Sequence, residues 1–147
     1  MVRLSVYEEA RKAAREHKWL ASEKAGRDLG AAAVQEWTKS YWLQFYRYRF
    51  VQHLRGEVFW DEFGARFYGI VTGQLATPRE LLDQILDRVR DGAENLQLIQ
   101  WTLDHGLPTD TVLEVLEALD INSQKLPPPT YADDGSVTST LTPETVA

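Results

Sequence analysis

Apolar residues recur along this chain at spacings of three and four, and no stretch shows the strict alternation of a half-buried strand. The pattern predicts helices over about 6–24, 29–55, 58–69, 78–90, 94–105 and 110–119. Local punctuation agrees with it. Ser5-x-x-Glu8 has the form of a capping box, in which the hydroxyl and the carboxylate each satisfy an orphan amide. Gly26 and Gly30 bracket Asp28, a combination suited to stopping one helix and N-capping the next. Thr77-Pro78-Arg79-Glu80 places a cap, a first-turn proline and a third-position acid before Leu81, Leu82, Ile85, Leu86 and Val89.

The second helix holds most of the information. Val34, Trp37, Tyr41, Phe45 and Tyr48 form one stripe, and Trp42, Tyr46, Phe50 and Leu54 form another rotated by about 100°. Together they make an apolar arc far wider than a surface helix needs, so this helix is expected either at the centre of a bundle or with one stripe kept for a partner. After Asn122 the periodicity ends, and Pro127-Pro128-Pro129 leads into a Ser-, Thr- and Asp-rich stretch with too little apolar surface to order itself. The fold expected is all-α: a single-domain bundle of about six helices over residues 1–121, without a sheet, followed by an extended Pro-rich tail over 122–147.

A chain of 147 residues fits one core, and with no cysteine it has neither disulfide framework nor thiolate chemistry. No run approaches the roughly 18 apolar residues of a membrane span, so the expectation is a cytoplasmic protein without membrane insertion. The net charge of −6 is unevenly divided. Residues 1–56 carry 11 Lys and Arg against 6 Asp and Glu, whereas residues 57–147 carry 5 against 16. Such a division favours an anionic partner for the first half, head-to-tail association, or ion pairs between the halves on folding.

Candidate chemistry is sparse. The residues three before His17, His53 and His105 are Ala14, Phe50 and Thr102, so no Glu-x-x-His pair of a carboxylate-bridged metal site is present. His53 and Glu57 are spaced as two ligands on one helix face, but Gly56 intervenes and two ligands do not close a site. No Gly-x-Ser-x-Gly elbow occurs, and the Gly26–Gly30 turn lacks the spacing and lysine of a phosphate loop. Residues 98–116 have the outline of a helix-turn-helix, yet the segment that would read DNA carries Asp110, Glu114, Glu117 and Asp120 and no base. The sequence therefore points to no catalytic residue, no metal and no cofactor.

What remains is a non-enzymatic interaction module, an adaptor or regulatory subunit that binds a protein partner or a second copy of itself. Its contact surface is expected on Trp42, Tyr46, Arg47, Arg49, Phe50, His53 and Arg55, because aromatics and arginine anchor protein surfaces. The alternative for the same residues is RNA or single-stranded nucleic acid, since rings interleaved with cations form stacking platforms.

Overall fold

The computed structural model describes residues 2–73, 75–131 and 137–138. Among them are six α-helices: α1 (Val6–Ala25), α2 (Ala31–Leu54), α3 (Ile70–Gly73), α4 (Arg79–Arg90), α5 (Asn95–Asp104) and α6 (Thr109–Leu119). The all-α bundle predicted from the periodicity is what forms. Strand content is limited to two-residue pieces: β1 (Arg3–Leu4) pairs in parallel with β2 (Phe59–Trp60), and β3 (Thr130–Tyr131) pairs with β4 (Val137–Thr138).

The central element is α2, which packs on α1, α3, α4 and β2. Its buried face changes along its length. Near the N-terminus Ala33, Val34 and Trp37 are covered, and from the middle onward Trp42, Tyr46, Phe50, Val51 and Leu54 are. At 100° per residue, Val34 lies roughly opposite Phe50 and Leu54. This accounts for the two stripes: each is core over part of the helix, where a different neighbour lies against it. The first stripe comes to the surface as it continues, with Tyr41 and Tyr48 both half exposed.

Helix ends follow the local signals in some places and long-range partners in others. Gly26 adopts the left-handed conformation (φ 70°), and the amides of Gly26 and Arg27 bond Glu23 and Ser22 in the manner of a Schellman stop. Ser5 caps α1 by accepting the Glu8 amide at 3.2 Å. The second carboxylate is supplied by Glu62, which accepts the Val6 amide at 2.7 Å and the Ser5 hydroxyl. Asp28 accepts the Gly30 amide at 2.9 Å, turning the chain just before α2, whose cap position is Gly30 itself. In α4 the helix begins one residue later than predicted, because Pro78 stays extended (ψ 135°) and takes the cap position in place of Thr77.

The aromatic segment expected as a helix over 58–69 is instead β2 followed by two 3-10 turns, Asp61–Phe63 and Ala65–Phe67. Two constraints override the helical pattern. The backbone amide of Trp60 is taken by a side chain of α2, His53, and not by a carbonyl one turn back. The segment also returns to its starting point: a Cβ on Gly56 would lie 3.3 Å from the Cα of Gly69, and the Gly69 amide bonds the His53 carbonyl at 2.9 Å. Both glycines have positive φ, so the neck of this loop suits glycine for conformation as well as space.

The tail begins as structure. Ile121 to Gln124 form a 3-10 turn with Ile121 buried, and the Leu126 and Pro127 carbonyls beyond it accept from Trp42 of α2 and Tyr7 of α1. The rest of the expected tail, 132–136 and 139–147, lies outside the described residues.

Candidate interaction surfaces

The seven residues expected to form a contact surface divide sharply by burial. Trp42, Tyr46, Arg47, Phe50 and His53 are all buried, and only Arg49 and Arg55 are partly exposed. Those five are thus core and offer no docking face, which corrects their placement at a surface, while Tyr41, Leu43 and Tyr48 of the same helix stay exposed. The periodicity marks which positions share an arc, but it does not say which arc the neighbouring helices cover.

Arg47 is only 1% exposed and ties three elements together. One guanidinium nitrogen donates to the carbonyls of Val89 (3.0 Å) and Ala93 (2.8 Å), and the other donates to the Glu94 carboxylate. It therefore adds a donor to the Val89 carbonyl at the end of α4, which also accepts the Gly92 amide, bonds the Ala93 carbonyl in the turn that follows, and holds the acid that caps α5, a role suited to the five-donor fork of arginine. Arg55 meets Asp83 at 3.4 Å and Asp87 at 3.8 Å on α4. With Arg3 and Asp61 at 2.9 Å, these contacts join the basic first half to the acidic second half. Ion pairing within the chain thus absorbs part of the charge division seen in the sequence.

His53 is fully buried at the neck of the 56–69 loop. Its Nδ1 accepts the Trp60 amide at 2.9 Å, so Nε2 carries the proton and donates to the Gly64 carbonyl at 2.7 Å. The rings of Phe59, Phe63 and Tyr68 surround it. Burial among these groups pushes its pKa below the usual histidine value, which the bond to Gly64 only partly offsets. Arg49 lies 3.5 Å over the Phe45 ring and donates to the Phe45 carbonyl. Burial lowers its pKa too, with Glu9 opposing. The cations of the predicted surface thus have partners within the chain: Arg47 has two carbonyls and Glu94, Arg49 the Phe45 ring and carbonyl, and Arg55 two acids of α4.

What the chain leaves uncovered lies elsewhere. From Arg15 to Ala32 no residue is buried, so the far end of the α1–α2 hairpin reaches beyond the core. It is nonetheless ordered by its own contacts. His17 meets Glu36 at 2.8 Å, and the Leu29 amide bonds the Ser22 hydroxyl at 3.0 Å. This tip displays Trp19, 61% exposed, with Leu20 beside it; Arg15, Lys18, Ser22 and Asp28 line a shallow depression around the indole. On the acidic side, α5 turns Leu96 (80% exposed) and Leu103 outward. The sequence signal for the tip was present in the thin apolar face of the first helix, whose only large apolar residues after Ala14 are Trp19 and Leu20.

A cleft of about 340 Å³ opens between the end of α2, α3 and α4, lined by Arg55, Glu57, Arg79 and Asp83 among apolar residues. Among the described residues no group of three or more His, Asp or Glu is arranged to hold a metal ion, and no helix is long and apolar enough to cross a membrane. No family model, no curated protein and no solved structure matches this chain.

Proposed function

We propose that this protein is a non-enzymatic helical interaction module that engages a protein partner, or a second copy of itself, through the tip of the α1–α2 hairpin. The observation that carries the reading is a stretch of 18 residues, Arg15 to Ala32, in which no residue is fully buried and Trp19 and Leu20 are exposed. Helices in proteins draw most of their stability from burying an apolar face, and tryptophan is the residue type most enriched at binding hot spots. The aromatic helix α2 serves this reading as scaffold: its buried rings fix the base from which the tip projects.

Photo-crosslinking from position 19 in the native host, with mass spectrometry of the adducts, tests it. A discrete partner or self-adduct is expected, and Trp19→Ser should weaken the captured complex by about 2 kcal/mol or more, roughly 30-fold. No adduct from the tip, together with single-stranded oligonucleotide binding that falls steeply with salt, would replace it with the nucleic-acid reading.

A further inference from the structure

The Pro-rich segment after Gln124 is seated on the body of the bundle. The Trp42 indole N–H donates to the Leu126 carbonyl at 3.0 Å, and the Tyr7 hydroxyl donates to the Pro127 carbonyl. The two rings lie against each other, 5.4 Å between centroids with planes inclined by 21°. A tyrosine from α1 and a tryptophan from α2 thus present two aligned donors to successive carbonyls of an extended strand.

The sequence holds this segment near polyproline II, because each proline fixes its own φ and the residue before a proline is pushed to extended ψ. Lys125 sits at φ −71°, ψ 125°, and the three prolines that follow Leu126 have φ fixed near the same value by their rings. With three residues per turn, positions 126 and 129 share a face. Burial follows that period: Leu126 packs against the core and Pro129 is buried, while Pro127 and Pro128 between them are exposed. At the head of the segment the Lys125 ammonium meets the Glu94 carboxylate at 3.2 Å. A cation, an apolar residue next to it and a proline three further on are therefore each read by a separate contact.

We propose that the Tyr7–Trp42 cleft is a binding site for extended proline-rich segments of a partner protein. Lys125 to Pro129 are its resident intramolecular ligand, displaced by a partner strand with the same cation, apolar and proline spacing. The chemistry is that of polyproline recognition in general: a preformed strand with little entropy to lose, aromatic walls, and indole and phenol donors aimed at carbonyls that proline-rich chains leave free. Twelve residues of α1, about 18 Å, separate Tyr7 from Trp19, so this site is independent of the hairpin tip. A resident segment tethered to its cleft has an effective concentration on the order of millimolar, which keeps weak competitors out and admits a strand of better match or higher valence.

The test uses the full chain with Leu126→Ala and Pro129→Ala, which removes the two inward-facing side chains of the resident, and a synthetic peptide of residues 123–131 as probe. Binding is read from the Trp42 indole N–H resonance. The double variant is expected to bind the peptide saturably and at least tenfold more tightly than the wild-type chain. A peptide carrying the same two alanines should lose at least tenfold, and Trp42→Phe in the double variant, which keeps a ring and removes the donor, should weaken binding comparably when titrated by calorimetry, with the double variant measured the same way for reference. In a second arm, excess peptide added to the wild-type chain should shift the same indole resonance as the resident is displaced. Peptide binding that is equal in wild type and double variant, or that leaves the Trp42 indole unmoved, would overturn the proposal. So would concentration-dependent dimers of the wild-type chain that the double substitution abolishes, because the cleft would then serve a second copy's tail.

Discussion

His53 accepts the backbone amide of Trp60 on Nδ1, and a neutral ring is the only form that can do so. Protonation would set an N–H against an N–H at a fully buried position. The folded protein therefore holds His53 below its ordinary pKa, chiefly through burial. The unfolded chain takes up a proton near pH 6.5 and the folded one only at lower pH. Stability contributed by this group is thus complete above about pH 6.5 and declines as pH falls below it, by up to about 1.4 kcal/mol per unit until the folded pKa is reached. Melting temperatures at pH 7.5 and 5.5 should differ more for the wild type than for His53→Leu, which is less stable at the higher pH but has no proton to bind there. Equal differences in the two proteins would remove His53 from the account.

Arg47 makes a second prediction, because its charge sits inside the bundle while its acid, Glu94, is 38% exposed. Arg47→Met keeps much of the volume but takes the side-chain donor from the partly buried Ala93 carbonyl and the ion-pair partner from Glu94, and should cost about 2–3 kcal/mol in urea denaturation. Glu94→Gln, at a wetter position, should cost nearer 1 kcal/mol. A small effect at Arg47 would mean that water or a neighbouring donor replaces the guanidinium without loss.

Neighbouring aromatics on one sequence stripe separate in the same kind of measurement. Trp37 is buried and meets Phe45 edge to face at 5.1 Å, whereas Tyr41 is half exposed beside His17. Trp37→Ala should destabilise by about 3–5 kcal/mol and Tyr41→Ala by less than half as much. Comparable losses would place Tyr41 in the core and α2 in a different rotation.

These contrasts show what was readable in the sequence. Helix positions, and the stop at Gly26, are written in neighbours a few residues apart, and the fold class follows from them. The burial of Trp42 and Tyr46 is not, since a helix that is apolar nearly all round does not say where each partner covers it. Arg47 looked like a surface anchor because its carbonyl partners lie 42 and 46 residues away on another helix end. The docking of the tail was hidden for a related reason. Its own composition is too poor to fold, but two donors from α1 and α2 supply bonds that no local pattern announces.

The start of α1 offers a direct comparison of local and distant capping. By spacing alone Glu8 is the acid that should complete the box with Ser5, but the carboxylate on the Val6 amide and the Ser5 hydroxyl belongs to Glu62. Glu62 stands in the 3-10 turn after β2, adjacent to Asp61, which pairs with Arg3 on β1. The parallel β1–β2 pair holds these two segments in register, so the cap depends on the aromatic loop being closed around His53. An N-terminal cap is worth about 0.5–2 kcal/mol, and the positive end of the helix favours a carboxylate there. Glu62→Ala should therefore cost about 1–2 kcal/mol in thermal or urea unfolding and raise amide exchange over residues 3–9, while Glu8→Ala should change stability by less than about 0.5 kcal/mol. If Glu8→Ala proved the costlier of the two, the box written in the sequence would be the one that operates, and the loop would no longer be needed to start α1.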